Sequence, residues 1–266
     1  MFELRDAVKI LDATNNRIAA LPPALGALTA LQRLVLAQNA LAALPPALTS
    51  LAALRLLVLD SNALTALPDD IGRLAKLERL SVSGNKLTAL PASVRALARG
   101  SARLSTGARR LTRVAARRAR AQLGELKCLK ALVVSRNALA ALPPALGGCA
   151  ALEELDARGN ALTRVPPELG ACGRLAALHL DDNALRGEGA IPEALLRGCG
   201  ALTTLSLHGN PGLSADALQA TPGWADFDAR QRAKQSKRVA GGVLLGARGL
   251  DDGMDHATTR IVVPHT

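Results

Sequence analysis

Eight asparagines recur at a nearly fixed spacing along the chain, and this spacing constrains its architecture more than any other feature. Five of the seven intervals between them are 23 residues, and leucines keep constant offsets from each asparagine. A period of this length predicts a solenoid in which every repeat is one supersecondary unit. The asparagines are Asn16, Asn39, Asn62, Asn85, Asn137, Asn160, Asn183 and Asn210.

The alternation within each repeat predicts one short strand followed by a sharp turn. Leu34 and Leu36 are two residues apart and point into the solenoid, whereas Arg33, Val35 and Ala37 point out. An asparagine amide offers donors and an acceptor to buried main-chain groups, which suits the turn that follows. One 23-residue unit cannot offset an ordering cost of about 1.5 kcal/mol per residue. Stability must therefore come from stacking of neighbouring repeats.

The leucine offsets, L-x-x-L-x-L-x-x-N-x-L-x-x-L-P, resemble the signature of a leucine-rich repeat. We therefore predict an α/β leucine-rich repeat solenoid, or horseshoe, of eight repeats of the 23-residue type. Its sheet should be parallel and concave, its convex side irregular or 3-10 helical, and its C-terminal end covered by a helical cap. We place the solenoid at 1–213, the cap at 214–240 and a flexible tail at 241–266. Apolar residues expected to cover the open end are Leu213, Leu218, Trp224 and Phe227.

The Leu-Pro turns and the C-terminal sequence carry a narrower resemblance. The repeats resemble the intracellular, Ras-group type of leucine-rich repeat protein. The last repeat and tail, with Trp224, the basic segment 230–238 and segment 243–253, look like the plant and algal leucine-rich repeat proteins often joined to a ubiquitin-like domain. Their animal relative is leucine-rich repeat-containing protein 57. The resemblance implies a cytosolic protein-binding module and transfers no catalytic residues.

One interval breaks the spacing and marks an insertion. Asn85 and Asn137 are 52 residues apart, which is one repeat plus 29 residues, placed at 95–123. This segment has nine arginines and no Asp, Glu or Lys, so it leaves only +2 of the formal net charge of +11 to the rest of the chain. We expect it to project from the convex or lateral side without breaking the sheet.

Three interpretations of the insertion stay open. The first is a basic arm that binds nucleic acid or an anionic membrane surface by counterion release. The second is a solvated flexible loop, and the third is a translated intron absent from the mature protein. The lack of an aromatic residue argues against stacking on single-stranded bases. The anion-binding candidates are Arg109, Arg110, Arg113, Arg117, Arg118 and Arg120.

Cysteine usage and the N-terminal sequence bear on compartment. Cys149, Cys172 and Cys199 each lie eleven residues before a repeat asparagine, at a position that is leucine in other repeats, so we predict that they replace a buried leucine. The first residues have no basic region followed by an apolar core, and no apolar run approaches the roughly 18 residues of a membrane span. We therefore expect a cytoplasmic protein.

The outward positions of the predicted strands define a candidate partner-binding face. Its first half has an apolar strip and its second half an acidic end, so we expect a basic or amphipathic partner segment to lie across both. The candidate residues are Arg33, Val35, Leu56, Val58, Asp60, Arg79, Val133, Arg136, Glu154, Asp156, Arg158, His179, Asp181, Asp182 and His208.

The same face does not have the composition of an active site. His179 and Asp181 lie two residues apart, but no nucleophile, oxyanion donor or third metal ligand accompanies them in sequence. Phosphate-binding glycine motifs are absent as well. We predict a non-enzymatic protein-interaction scaffold, in intracellular signalling or ubiquitin-linked regulation, without cofactor, metal or catalytic residues. The partner is unidentified, a monomer is favoured, and the alternative is nucleic-acid or anionic-surface binding through the insertion.

Overall fold

The computed structural model describes residues 7–91, 126–241 and 260–262. Within them, one three-residue strand per repeat forms a continuous parallel sheet in chain order, which confirms the predicted solenoid. A further strand, β9, pairs in parallel with the free edge of β1. The strands are β1 (Ile10–Asp12), β2 (Arg33–Val35), β3 (Leu56–Val58), β4 (Arg79–Ser81), β5 (Ala131–Val133), β6 (Glu154–Asp156), β7 (Ala177–His179), β8 (Thr204–Ser206) and β9 (Arg260–Val262).

Short helices form the convex side, as the Leu-Pro turns predict. Four of the 3-10 helices begin at the second proline of a Pro-Pro pair, where the preceding proline is extended and a missing N–H costs no hydrogen bond. In the longer seventh repeat an α-helix, α1 (Glu193–Gly198), takes their place. The 3-10 helices are η1 (Pro23–Ala27), η2 (Pro46–Ser50), η3 (Ile71–Arg73), η4 (Pro144–Gly148) and η5 (Pro167–Ala171).

The asparagines form a hydrogen-bonded ladder that ties each repeat to the one before it. Asn85 donates from Nδ2 to the carbonyl oxygens of Val82, at 3.0 Å in its own repeat, and of Leu59, at 3.0 Å in the preceding repeat. Its Oδ1 accepts the Leu64 N–H of the preceding repeat at 3.0 Å. The same three bonds recur from Asn39 to Asn210. One side chain thus satisfies main-chain groups of two turns at once.

The residue before each ladder asparagine adopts a left-handed backbone conformation, with φ from 51° at Arg136 to 68° at Gly209. Non-glycine residues tolerate this region at a cost of about 1 kcal/mol or more, which the surrounding ladder offsets. At Gly209 a Cβ would also lie 2.2 Å from Oδ1 of the exposed Asp182, so that carboxylate would have to move to admit a side chain. Sequence periodicity alone did not identify this constraint.

The core is a stack of leucines with three cysteines in one column. Cys149, Cys172 and Cys199 are fully buried, which confirms that they occupy leucine positions. The Cys172 thiol donates to the Leu146 carbonyl oxygen at 3.3 Å, and the Cys199 thiol donates to that of Leu169 at 3.3 Å. Burial raises the pKa of these thiols to about 12, 11 and 12 respectively. They are therefore unreactive thiols at neutral pH.

The interval that contains the insertion does not interrupt the sheet, as predicted. Strands β4 and β5 pair directly, with Leu80 opposite Leu132. The ladder also continues across the gap, because Asn137 donates to the Val82 carbonyl oxygen at 3.0 Å and accepts the Leu87 N–H at 3.0 Å. Segment 95–123 itself, with its six candidate anion-binding arginines, lies outside the described residues.

Two helices follow the last repeat, α2 (Ala215–Gln219) and α3 (Trp224–Gly241). Phe227 is buried against the core and its ring centroid lies 5.5 Å from that of Trp224, while Leu213 and Leu218 pack beside them. Arg230 donates to the Leu196 carbonyl oxygen at 2.7 Å. These contacts cover the C-terminal end of the core. The exact limits of cap and tail stay predictions, and most of 241–266 lies outside the described residues.

Asn85→Ala tests the ladder. It removes bonds to two repeats and leaves buried main-chain groups unsatisfied, so we expect a loss of roughly 2 to 4 kcal/mol in the free energy of unfolding. Asn16→Ala is the matched control, because the Asn16 amide donates only within the first repeat, to Ala13 and Thr14. Urea unfolding followed by circular dichroism measures both. Equal losses in the two variants would contradict the ladder as the tie between repeats.

Gly170→Ala tests the stacking of the convex turns. A Cβ at Gly170 would lie 2.2 Å from the Ala194 carbonyl oxygen in the next repeat, whereas nothing lies within 4 Å of a Cβ at Gly173. We expect Gly170→Ala to lower the free energy of unfolding by about 2 kcal/mol, through displaced backbone, and Gly173→Ala to change it little. Thermal unfolding of the two variants gives the comparison. An unchanged stability of Gly170→Ala would show that position 170 is not packed closely against the Ala194 carbonyl oxygen.

Candidate functional site

The register of the sheet arranges the outward side chains in three rows. The first row holds the residues that open the strands, the second the residues that close them, and the third the residues two positions further on. Each row runs along the solenoid at about 4.8 Å per strand. The candidate partner-binding residues fall in these rows except Arg136 and Asp182, which precede ladder asparagines at the left-handed turn.

The apolar strip that the sequence predicts is brought together in two adjoining rows. Val35 and Val58 are direct partners on β2 and β3, and Leu56 lies beside them at the start of β3. All three are partly exposed, unlike the intervening Leu57, which is fully buried. Val133 is also partly exposed but is separated from Val58 by the strand that carries Ser81. The strip is thus continuous over β2 and β3 and interrupted at β4.

Two exposed arginines flank Leu56 in the first row. Arg33 opens β2 and Arg79 opens β4, so each is the immediate neighbour of Leu56 across the sheet. Both are exposed. An apolar side chain between two cations is a local arrangement that favours an amphipathic ligand.

Asp60 and Asp181 tie neighbouring repeats together, a role that the sequence analysis did not predict. Asp60 Oδ1 accepts from the Ser81 hydroxyl at 2.6 Å and from the Ser83 N–H at 2.7 Å, both in the next repeat. Asp181 repeats this pattern four repeats later, accepting from the Ser206 hydroxyl and from the N–H of His208. Each carboxylate therefore bridges two repeats. A serine 21 or 25 residues after the aspartate was the available signal in the sequence.

Asp156 and Arg158 form a two-pronged ion pair on β6 and the turn after it. Arg158 donates from Nε to Oδ1 at 3.0 Å and from Nη2 to Oδ2 at 2.7 Å, and the Asp156 side chain is only 8% exposed. Burial raises the pKa of Asp156, but the hydrogen bonds and charge of Arg158 outweigh it, and the pKa is lowered overall. The same pair raises the pKa of Arg158. Asp156 is therefore less accessible to a partner than its row position predicts.

The remaining acidic and histidine candidates are more accessible. Glu154 opens β6 and is partly exposed, Asp182 is exposed at its turn, and His208 is exposed beside β8. His179 closes β7 next to Asp156 and is partly exposed. This end of the face is acidic, as predicted, but part of its charge is held by bonds within the solenoid.

A chain of ion pairs lies directly before strands β3, β4 and β5. The sequence analysis did not predict it. Glu78 accepts from Arg55 Nη1 at 3.1 Å through Oε1 and from Lys130 Nζ at 3.1 Å through Oε2. The hydrogen bond from Lys130, together with the positive charges of Lys130 and Arg55, lowers the pKa of Glu78 against the opposing effect of burial. The three residues come from consecutive repeats, two of them separated in sequence by the insertion, which is why linear spacing did not reveal them.

Neither a metal site nor a membrane-spanning helix is found among the residues that the structure describes. No group of three or more His, Cys, Asp and Glu side chains is arranged there to hold a metal ion. No helix in the same ranges is long and apolar enough to cross a membrane.

Comparisons with known proteins agree with the solenoid. The sequence profile of the family described as Leucine rich repeat matches residues 6–64 and 29–87. An internalin, InlF, of Listeria monocytogenes is similar in structure, with a TM-score of 0.55 and 20% identity over 77% of this chain and 49% of its own. This likeness shows the fold. No curated protein sequence matches the chain.

Two further solved structures are similar. The ectodomain of the plant membrane receptor kinase GASSHO1/SCHENGEN3 of Arabidopsis thaliana, in complex with CASPARIAN STRIP INTEGRITY FACTOR 2, has a TM-score of 0.50 and 26% identity, covering 76% of this chain and 24% of that one. A leucine-rich repeat protein of Leptospira interrogans has a TM-score of 0.48 and 26% identity, covering 73% and 47%. The chain spans about half the length or less of these relatives.

Asp156→Asn tests the ion pair through its pH dependence. The folded pKa of Asp156 is lowered, so its carboxylate contributes stability above the unfolded pKa of about 3.9, and this contribution is lost as the pH falls through the folded pKa. We expect Asp156→Asn to lower the melting temperature at neutral pH and to approach the wild type as the pH falls below the folded pKa of Asp156. Asp69→Asn, at an exposed position, is the control. A pH-independent deficit would contradict the ion-pair explanation.

Proposed function

We propose that this leucine-rich repeat solenoid is a non-enzymatic scaffold that binds a protein partner on its concave sheet. The observation that carries the proposal is the apolar strip of Val35, Leu56 and Val58, which is partly exposed and bordered by Arg33 and Arg79. Apolar side chains that share one solvent-facing surface with a charged border are typical of interaction sites. Leucine-rich repeat folds are typically interaction modules rather than enzymes.

The rigidity of the face supports the proposal. Its rows stand on strands whose main chain is hydrogen-bonded to both neighbours, and the ladder fixes the turn after every strand. A preorganised surface loses little side-chain and loop freedom on binding, which favours affinity. The GASSHO1/SCHENGEN3 ectodomain, a structure in complex with a named factor, gives a precedent for a leucine-rich repeat surface that binds a partner.

The cellular setting is proposed from the resemblance of the C-terminal sequence. We propose a cytoplasmic protein in intracellular signalling or ubiquitin-linked regulation that acts as a monomer. We propose the same partner-binding residues as the sequence predicts, which are those in the three rows together with Arg136 and Asp182. The geometry shifts the emphasis among them. Val35, Leu56 and Val58 are available to a ligand, whereas Asp60 and Asp156 are already bonded within the solenoid.

The second candidate function is anion binding by the insertion. It is favoured by one observation, the nine arginines without a carboxylate in 95–123. Such a segment would bind nucleic acid or an anionic surface with an affinity that falls steeply as salt rises.

Quantitative affinity purification of the tagged full-length chain tests the main proposal. Val35→Arg with Val58→Arg places two cations in the apolar strip, and we expect it to remove the specific partner by about tenfold or more, because a buried unpaired charge at an interface costs several kcal/mol. Ala75→Arg, at an exposed residue beyond η3, is the control and should retain the partner. Melting temperatures establish that the variants are folded.

The outcomes separate the two candidate functions. A partner lost from the strip variant and retained by Ala75→Arg supports the scaffold. Equal recovery with both variants contradicts it. Recovery of nucleic acid or lipid that disappears only when 95–123 is deleted assigns the activity to the insertion instead.

A further inference from the structure

We propose that the strand-opening side of the first five repeats is a binding surface for an acidic, partly apolar segment of a protein partner. This inference rests on the proposed function and names the chemistry of the partner at that site. We call the surface the basic rim, and it consists of Lys9, Arg33, Arg55, Arg79 and Lys130.

The sheet register brings these cations together from five separate repeats, one cation from each. Arg33 and Arg79 open β2 and β4, on either side of Leu56 at the start of β3. Arg55 directly precedes β3 and Lys130 directly precedes β5. Because β4 and β5 pair across the insertion, residues 52 positions apart become neighbours.

The rim is exposed and carries a net positive charge. The Arg55 and Lys130 side chains are 59% and 52% exposed even while they share Glu78. At the first row and the position before it, the first five repeats have five cations and one carboxylate, Glu78. The same two positions in the last three repeats have two carboxylates, Glu153 and Glu154, and no cation. Charge therefore changes sign along one edge of the sheet.

This change of sign limits which ligand fits. An acidic segment is attracted by the rim and repelled from β6 onward by Glu153 and Glu154, so its position along the solenoid is set by both halves. If the acidic segment shifted along the solenoid toward β6, its carboxylates would be repelled by Glu153 and Glu154. A basic segment, which the outward rows alone led us to expect, has the opposite preference and would leave the rim unoccupied.

The apolar neighbours of the rim point to a protein segment. Leu56 lies between Arg33 and Arg79, and Val58 lies next on the same strand face, so a ligand with alternating acidic and apolar side chains satisfies both. Surfaces that bind single-stranded nucleic acid instead combine cations with aromatic side chains for base stacking. In the part of the chain that the structure describes, the aromatic pair Trp224 and Phe227 lies in the C-terminal cap. Beside the rim, the positions that aromatic residues would fill are taken by Leu56 and Val58.

The width of the rim gives the length of the segment. Five neighbouring strands span about 19 Å, which an extended chain covers in about six residues. A short acidic peptide is therefore long enough to contact the whole rim. This size makes the proposal testable with a synthetic probe.

Fluorescence anisotropy with the full-length chain tests the inference. The probes are a labelled peptide that alternates glutamate and leucine, its counterpart with lysine in place of glutamate, and a single-stranded oligonucleotide of equal charge. The test variant is Arg33→Glu with Arg79→Glu. Its matched control is Arg17→Glu with Arg164→Glu, which reverses two exposed charges outside the rim. We expect the test variant to raise the Kd of the acidic peptide by about tenfold and the control to leave it unchanged.

A gain in affinity provides the complementary measurement. Glu78→Gln removes the carboxylate that pairs with Arg55 and Lys130 of the rim. We therefore expect the Kd of the acidic peptide to fall a few-fold. A loss of folding cannot produce this result. The effect of either variant should shrink as salt is raised, because these charges are exposed and screened.

Each other outcome overturns the inference. Equal binding of the lysine peptide, or no effect of Arg33→Glu with Arg79→Glu, shows that the rim does not select an acidic segment. Tighter binding of the oligonucleotide than of the acidic peptide, if Arg33→Glu with Arg79→Glu weakens it, assigns the rim to nucleic acid. If no acidic peptide binds while the cellular partner is still lost from Val35→Arg with Val58→Arg, the scaffold function stands and the rim inference fails.

Discussion

The asparagine ladder is the interaction on which the rest of the structure depends. A strand of three residues forms few hydrogen bonds, and the turn after it would bury main-chain groups without partners. The Asn85 side chain satisfies the Leu59 and Val82 carbonyl oxygens and the Leu64 N–H together. It thereby fixes the turn and the register of adjacent repeats in one step. Because every repeat is held this way, the sheet tolerates a 29-residue insertion between β4 and β5 without a change in pairing.

The same regularity divides the side chains into those that build the solenoid and those that are available for recognition. Leucines, ladder asparagines and the column of Cys149, Cys172 and Cys199 face inward. The three outward rows are not constrained by the core. Asp156 is an exception, because it is buried and Arg158 holds it by two hydrogen bonds. Asp60 and Asp181 are exceptions as well, because each carboxylate bridges two repeats through a serine hydroxyl and an N–H. These two aspartates add a second, shorter series of ties on the concave side.

The fold was predictable from the sequence because its determinants are periodic. A 23-residue spacing and leucines at constant offsets indicate the strands, the buried cysteines and the continuity across the insertion. The site was less predictable because its contacts join residues of different repeats. Linear reading placed Asp156 on the outward face, but not the two bonds from Arg158 that hold it. It also overlooked Glu78, Arg55 and Lys130, since they precede the strands rather than lie on them.

The distribution of roles among the charged residues bears on where specificity resides. A carboxylate that bridges two repeats, such as Asp181, can bind a ligand only by sharing or losing bonds that stabilise the solenoid. The Asp156 side chain is buried, so separating it from the exposed Arg158 would leave a buried charge without its cationic partner. Exposed cations at the strand starts have no such cost, since Arg33 and Arg79 stand outside the ladder and the carboxylate bridges. They can be changed without unfolding the sheet. In the proposed binding mode, the acidic end of the face therefore contributes mainly by repulsion and by long-range field, while attraction to the ligand is concentrated in the first five repeats.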